Sequence, residues 1–323
     1  HVKSLARQNA MKIYRNTESV PQEPGPGRSA AIGIFDGVHL GHQALVNGAI
    51  RWAQQDSLRS AILTFEPHPA KVLAPKYAPK MLEPLSRRLE RFEALGLDEV
   101  FIQPFNMEFA QMSPQDFVQN VLVDQLQVRH ITVGEGFVFG SKQSGDVELL
   151  SKMGQTLGFS AHPVSHIRQT GMVTSSSKIR EFIVAGKIEG ATLLLGRPPE
   201  LFGPVVPGAG RGTGLGFGTA NVRCENELLP ATGVYAVKVR TNSGNFEAVL
   251  NVGYTPTFGG ETEIKVEAHL LEYSGDELYN ETIFLELIAY LRPERRFDGP
   301  ESLKLQIGKD IEEAKAAFAA LKN

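Results

Sequence analysis

GIFDGVHLGHQ, residues Gly33–Gln43, joins the end of a strand to the first turn of a helix through a glycine turn. His39 and His42 are three residues apart, so on a helix they share one face near its N-terminus. Backbone N–H groups without intrahelical partners and the helix dipole attract anions at that point. The stretch therefore reads as a phosphate-handling βα turn, and the rest of the chain can be placed around it.

Upstream, Val20–Arg28 carries three prolines and two glycines, a loop leading into a strand over Ser29–Phe35. Downstream, Leu45, Ala49, Trp52 and Ala53 form one helical stripe, and Ser60–Phe65 is a strand stopped by EPHP, which leaves His68 just past its end. Ser86 caps a helix carrying Leu89, Phe92 and Leu95 and closed by Gly96, and a strand follows at Glu99–Ile102. Ser113, Pro114 and Asp116 start a helix with Phe117, Val121 and Leu122 on its apolar side. Then come a strand at Arg129–Val133 running into GEGFVFG (Gly134–Gly140), a strand at Ser160–Val164, and a helix capped by Ser175–Ser177 that ends at Gly186. Alternating strands and helices build a parallel sheet, whose ligands bind at the carboxyl ends of its strands. His39, His68, Gly134–Gly140 and the Ser175–Arg180 cap all follow strand ends, so they are expected to converge on one rim.

The pattern changes at Gly196. GRPPELFGP reads as a break, followed by strands at Val234–Arg240, Phe246–Val252, Ile264–Leu271 and Ile283–Leu291, which suggest an antiparallel barrel or sandwich. A helix from Pro300 carries an apolar stripe of Leu303, Ile307, Ile311, Ala314, Phe318 and Leu321, expected to cover one end of that sheet. The length of 323 residues suits two domains, and Met11 reads as a more natural domain start than His1. With 42% hydrophobic and 21% charged residues the composition is globular, and a formal charge of −3 gives no field for nucleic acid or anionic membrane. Phosphate binding must then come from local arrangement. One cysteine, Cys224, rules out an internal disulfide, and no apolar run has the length of a membrane span, so the expectation is a cytoplasmic protein.

Two imidazoles beside helix N–H groups can hold a triphosphate and stabilise charge on a phosphoryl group in transit, with Gly41 letting phosphates approach the backbone. The alternatives are a metal pair or a plain surface helix start, and the metal pair is disfavoured because a third ligand such as the Glu of HExxH is missing. His68 alone is an ordinary turn histidine; its position on the rim makes it a candidate ligand. TSSSKIR, Thr174–Arg180, offers hydroxyls and cap donors, but Lys178 and Arg180 oppose the helix dipole, so an anionic ligand competes with a plain N-cap as its explanation. The run PGAGRGTGLGFGTAN has no register matching GxGxxG or GxxxxGK[ST], which leaves a simple glycine-rich loop or a phosphate loop. Thr219 and Asn221, two apart on a strand, can present oxygens to a phosphate-bound Mg²⁺. Glu267 and His269 alternate with Val266, Ala268 and Leu270, so Glu267 is either a candidate base or part of a solvated face.

In order along the chain these motifs resemble those of the bifunctional prokaryotic riboflavin kinase and FAD synthetase family: GIFDGVHLGHQ, LTFEPHP, VGEGFVFG and TSSSKIR, then GRGTGLGFGTANV, LPATGVYAV, NVGYTPTFGG, VEAHLLE and RRFDGPESLKLQI. The resemblance implies an α/β plus mainly-β chain. A Rossmann-like HxGH nucleotidyltransferase domain over 11–195 would precede a small β-barrel kinase domain with a C-terminal helix over 200–323. It implies that the second module phosphorylates riboflavin to FMN with ATP, Glu267 serving as base and Thr219 and Asn221 holding Mg²⁺. The first module would adenylylate FMN to FAD with release of pyrophosphate, through His39 and His42. Phosphate and ATP contacts would fall to Gly33, Phe35, Asp36, Gly41, His68, Ser176 and Arg180 in the first module. In the second they would fall to Gly208, Gly214, Gly216, Thr219 and Asn221. Two positions depart from the family pattern. Gly136 stands where VGxDFxFG carries Asp or Asn, and Gly218 stands where PTAN carries Pro. Competing expectations are a kinase with weakened adenylyl transfer and a non-catalytic flavin or nucleotide sensor, against which a base at Glu267 argues.

Overall fold

The computed structural model describes residues 10–19, 25–208, 219–256, 262–275, 278–295 and 297–321. The chain divides into two compact units at Thr174/Ser175. The first contains β1 (Lys12–Tyr14), β2 (Arg28–Ile32), α1 (Leu40–Gln55), β3 (Arg59–Glu66), α2 (Pro69–Leu73), α3 (Leu85–Leu95) and β4 (Glu99–Pro104). It continues with α4 (Met107–Ala110), α5 (Pro114–Asp116), a π-helical stretch at Phe117–Gln125, β5 (Val128–Gly134), β6 (Val138–Phe139) and β7 (Gly145–Asp146). It closes with α6 (Val147–Leu157), β8 (Ser160–Val164) and the hairpin β9 (Arg168–Gln169) and β10 (Met172–Val173).

The sheet runs in the order β1-β4-β3-β2-β5-β8, parallel throughout. Every residue of β2 is buried, as expected of a central parallel strand covered on both faces. From β2 the chain proceeds outward through β3 and β4, then returns to the other side of β2 with β5 and β8. Strand order reverses between β2 and β5, and a parallel sheet opens its ligand crevice at such a reversal. The Gly33 turn follows β2, and Gly134–Gly140 follows β5. Helix α1 lies close enough to β5 that a Cβ on Gly48 would meet Thr132 Cγ2 at 2.9 Å. The Ser113 hydroxyl accepts from Asp116 N as the capping pattern predicts, but the helix it opens winds as π from Phe117. Phe117, Val118, Val121 and Leu122 are buried there.

The second unit opens with α7 (Ser176–Val184) and α8 (Ile188–Leu195). Then follow β11 (Glu200–Val206), β12 (Ala220–Val222), β13 (Gly233–Thr241), β14 (Gly244–Pro256), β15 (Thr262–Leu270), β16 (Thr282–Arg292) and α9 (Pro300–Ala320). The strands close into an antiparallel barrel, β11-β12-β15-β14-β13-β16. Strand β11 runs through the segment read from sequence as a break. Its one proline is tolerated because pairing changes at Pro204: Glu200–Pro204 pair with β16, and Val205 and Val206 pair with β12. Tyr235, Val237 and Val239 of β13 point into the barrel, while Val234 and Ala236 point outward onto Ala314 and Phe318 of α9. Helix α9 therefore covers the outer face of β13, β14 and β16 rather than an end of the sheet, and Leu321 of the expected stripe is 56% exposed.

A titratable cluster ties α1 to β5 and β8. Asp56 Oδ2 lies 2.7 Å from His130 Nε2, and His130 Nδ1 lies 2.9 Å from His162 Nε2. Trp52 stacks on both imidazoles, with centroids 5.1 and 4.1 Å away. Burial first, then His130 and Arg51, lowers the His162 pKa. The unfolded chain, with an ordinary imidazole near about 6.5, binds more protons as the medium acidifies, so this contribution to stability is lost as pH falls through that value. His42, also lowered, adds to the same trend. Trp52 is the chain's one tryptophan, so its emission reports this unit. The melting midpoint followed by Trp52 emission is expected to drop between about pH 7.5 and about pH 5.5, and His162→Asn is expected to shrink the drop. A midpoint that holds or rises on acidification contradicts the assignment.

Candidate functional site

The Gly33–Val38 turn departs from ordinary backbone at three bends: Phe35 has φ 55°, Gly37 φ 80° and Val38 φ 39°. Positive φ in a phenylalanine and a β-branched valine costs on the order of 1–3 kcal/mol each and persists only where surroundings enforce it. Here Phe35 is fully buried, edge-on to His42 at 5.4 Å and to Phe92 at 5.7 Å. The Asp36 carboxylate accepts from Leu82 N and Glu83 N, tethering the turn to the segment before α3. The Val38 carbonyl accepts from Gln43 Nε2 at 2.9 Å, which closes the bend onto α1.

His39 is the N-cap of α1. Its Nδ1 accepts from His42 N at 3.3 Å, so a neutral His39 carries its proton on Nε2. The two imidazoles stack with centroids 3.6 Å apart and planes 16° from parallel. Burial above all, then His39 and then Arg88, holds the His42 pKa well below the usual imidazole value, so His42 is neutral at pH 7. Its Nδ1 is buried and unpartnered. A neutral imidazole with an unmet polar atom at a helix N-terminus is suited to hydrogen bonding with a phosphoryl oxygen. A Cβ on Gly41 would come within 3.1 Å of His39 Cε1, so glycine preserves the stack. His68 caps α2 by accepting from Ala70 N at 3.0 Å, a local structural bond at the carboxyl end of β3.

Beside the turn is a pocket of about 750 Å³ lined by Gly33, Ile34, Pro69 and the Gly136–Gln143 segment. Its apolar wall is a run of phenylalanines, Phe65, Phe105, Phe109, Phe117, Phe139 and Phe137, in successive ring contacts at 5.6–6.1 Å. A flat aromatic ligand fits such a wall. The space beyond Gly136 is open, with no atom within 4 Å of a Cβ built there. The first unit thus brings His39, His42, His68 and the Gly134–Gly140 segment to the carboxyl ends of its strands.

In the second unit, the barrel's alternation sends Val266, Ala268 and Leu270 inward and Glu267 outward. Asn221 and Asn251 are the register partners of Glu267 on either side, which makes a polar row on the outer face. Asn221 is 9% exposed, and its Oδ1 is buried without a partner. Lys265 Nζ engages Glu267 Oε1 at 2.6 Å. The backbone at Gly208 passes so close to the Asn221 amide that any side chain there would overlap it. An orphaned amide oxygen beside a carboxylate suits a hard, oxygen-seeking cation such as Mg²⁺, which draws most of its ligands from phosphate and water. Among the described residues no group of three His, Cys, Asp or Glu forms a metal cage. Thr219 is exposed, one residue before β12, whereas Gly214, Gly216 and Gly218 lie outside the described residues. Ser175 caps α7 by accepting from Lys178 N at 3.3 Å, placing Ser176 and Arg180 in its opening turns. Helix α7 belongs to the second unit.

Sequence reasoning did not find the phenylalanine wall, Asn251 or Arg88. The wall's six rings are scattered over residues 65–139 and share no period. Asn251 becomes visible only through strand register, and Arg88 reads as one charge on a basic helix start.

Family models agree with both halves. One described as FAD synthetase matches residues 22–178, and one described as riboflavin kinase matches residues 195–318. A protein of Listeria monocytogenes named bifunctional riboflavin kinase/FMN adenylyltransferase is 38% identical over 91% of this chain and 93% of its own length. Its namesake from Escherichia coli K12 is 34% identical over 97% of this chain and 99% of its own. A crystal structure from Streptococcus pneumoniae, of a protein named a macrolide-efflux protein, superposes with a TM-score of 0.85 at 27% identity, covering 95% of this chain and 99% of that one. Among the described residues no helix is long and apolar enough to cross a membrane. With a parallel-sheet unit matching the synthetase model, a barrel unit matching the kinase model and relatives aligned from end to end, this chain belongs to the bifunctional riboflavin kinase/FMN adenylyltransferase family.

Proposed function

We propose that the chain converts riboflavin to FMN in its barrel module and FMN to FAD in its parallel-sheet module, consuming ATP in each step. The observation that carries the reading is the stacked His39–His42 pair, with His42 held neutral, at the edge of an apolar aromatic pocket, a phosphoryl site joined to a slot for a flat ring. The working division is 11–195 for adenylyl transfer and 200–323 for the kinase, with the protein acting in the cytoplasm on small molecules.

In the kinase reaction, Glu267 accepts the proton of the ribityl 5′-hydroxyl as its oxygen bonds to the γ-phosphorus of ATP, and the bond to ADP breaks. Asn221 and Thr219 would hold Mg²⁺, which would neutralise charge on the triphosphate. The glycines before them, Gly208, Gly214 and Gly216, let backbone approach the phosphates. In the adenylyl-transfer reaction, the FMN phosphate oxygen bonds to the α-phosphorus of a second ATP, and pyrophosphate leaves. His39 and His42 donate to the phosphoryl oxygens as charge builds on them. Gly41 and the helix N-terminus bring N–H groups to the same phosphates, Gly33, whose own N–H donates to the Leu63 carbonyl, lines the adjoining pocket, Phe35 and Asp36 hold the turn, and His68 completes the rim. For Ser176 and Arg180 the support is the TSSSKIR motif and the cap of α7. The flavin ring is assigned to the phenylalanine wall.

Incubated with riboflavin, ATP and Mg²⁺, the protein is expected to yield FMN and then FAD by chromatography; formation of neither refutes the reading. His42→Ala is expected to lower FAD formation by at least about 100-fold while FMN formation persists, and Glu267→Ala to do the reverse for FMN made from riboflavin. Simultaneous loss of both activities in either variant would show the assignment of steps to modules to be wrong. The open space at Gly136 accommodates Gly136→Asp, which restores the family's usual polar group. That variant is expected to raise the rate of FAD formation from FMN and leave riboflavin phosphorylation unchanged; an unchanged FAD rate shows that this position does not limit adenylyl transfer.

A further inference from the structure

The side chain of Arg88, on α3, is 2% exposed. Its guanidinium divides between two site elements. Nη1 donates to the Ile34 carbonyl at 2.8 Å, in the turn that leads to His39 and His42. Nη2 donates to Glu66 Oε2 at 2.7 Å, at the end of β3 that leads to His68. Thr64 Oγ1 of β3 also donates to the Ile34 carbonyl, at 3.3 Å, so one backbone oxygen is held from two elements. A buried cation needs partners to be tolerated, and a planar fork can reach two acceptors where an ammonium would be a single point of charge. Because Ile34 precedes Phe35 and its strained backbone, a donor that fixes this carbonyl fixes where the bend begins.

We propose that Arg88 is a positioning residue for adenylyl transfer: its guanidinium locks the histidine-bearing turn to the end of β3 and acts on the reaction through His42. The proposal rests on the adenylyl-transfer reading above. Arg88 touches no reacting atom in this scheme. Besides fixing the turn, it sets the charge state of the imidazole that does. The described groups acting on the charge of His42 are His39 from its own helix and Arg88 from α3, with Phe35 forming the apolar side and Glu66 of β3 pairing Arg88. Burial and both neighbours push His42 toward the neutral form. Removing the guanidinium removes one of these pressures, so protonation of His42 then sets in at higher pH.

The test compares wild type, Arg88→Met, Arg88→Lys and Glu66→Gln in full-length protein, measuring FAD formation from FMN and ATP against pH. FMN formation from riboflavin in the same chain serves as the internal control. Arg88→Met is expected to lower kcat for FAD formation by about 10- to 100-fold, since small misplacements of reacting groups cost rates of that order. It is also expected to move the acid limb of the pH profile upward, with riboflavin phosphorylation unchanged. Arg88→Lys, which keeps the charge but can reach one acceptor at a time, is expected to recover part of kcat and leave the acid limb where it is in wild type. A fall in kcat with an unmoved acid limb in Arg88→Met would reduce Arg88 to a structural residue and overturn the proposal, as would wild-type kinetics in that variant. Trp52 emission reports whether Arg88→Met folds. Should it not fold, the decision passes to Arg88→Lys and Glu66→Gln: reduced kcat with the acid limb held supports the clamp, and wild-type kcat in both overturns it. Failure of the adenylyl-transfer reading itself would show separately, as wild-type protein that makes no FAD.

Discussion

An imidazole buried against a second imidazole and an aromatic edge, within the field of a guanidinium, is held in its neutral form, and the first unit is arranged to keep His42 in that position. Stacking on His39 requires the two histidines at the start of α1, which requires the chain to reverse sharply after β2. That reversal takes Phe35, Gly37 and Val38 into left-handed backbone. The cost is of the order of a few kcal/mol, and it is offset by burying Phe35 completely and by holding Ile34 and Asp36 from β3, α3 and the segment before α3. Each of these contacts is explained once His42 has to be dry and neutral, and several look arbitrary otherwise.

The barrel solves a different problem with a different residue inventory. A closed barrel with an apolar interior leaves no room for polar chemistry inside, so reactive groups must go on the outer face. Outward positions of β13, β14 and β16 are taken by α9, which buries Val234, Ala236 and Val249 against Ala314 and Phe318. Strands β12 and β15, with the adjoining stretch of β14, carry the row of Asn221, Glu267 and Asn251. Register places these three side by side although they are far apart in sequence. The orphaned Asn221 oxygen is the point at which the row is left unsatisfied by the protein itself.

Periodicity and punctuation made most of this architecture readable. The alternation of strands and helices, the caps at Ser113 and Ser175, the glycine stops at Gly96 and Gly186, and the inward and outward positions of β15 follow from local rules. By contrast His39, read as lying in the first helical turn, is the N-cap of α1, and Ser86, read as a cap, lies inside α3, whose N-cap is Pro84. The failures have identifiable causes. Gly203 and Pro204 within the strand, and Pro198 and Pro199 just before it, disguised β11, which survives because it changes partner at Pro204. An α stripe and a π stripe bury nearly the same residues over nine positions, so Phe117–Gln125 could not be told from α by its apolar pattern. Arg88 and the phenylalanine wall escaped because their meaning lies in long-range proximity: Arg88 meets Ile34 and Glu66 at sequence separations of 54 and 22.

The two proposed centres also divide the electrostatic work. With a net charge of −3 the protein has no broad positive field to draw in phosphate, and the buried Arg88 at the first site is engaged with protein acceptors. What remains for a phosphate there is the neutral His42 imidazole, the His39 ring stacked on it and the N–H groups that open α1. Neutral donors in a dry site discriminate by direction, rewarding an oxygen that lies where the N–H bonds point and penalising one that does not. At the second site the protein offers oxygen atoms, which repel phosphate unless a cation lies between. The first arrangement suits a reaction in which one phosphate must approach another, because donors aimed at both oxyanions offset their repulsion without fixing a countercharge to either. The second suits transfer to an uncharged hydroxyl, where the only phosphates present belong to the nucleotide and a shared cation can hold them still while Glu267 works on the acceptor. In each unit the backbone geometry and the charge of the incoming acceptor point to the same assignment of chemistry.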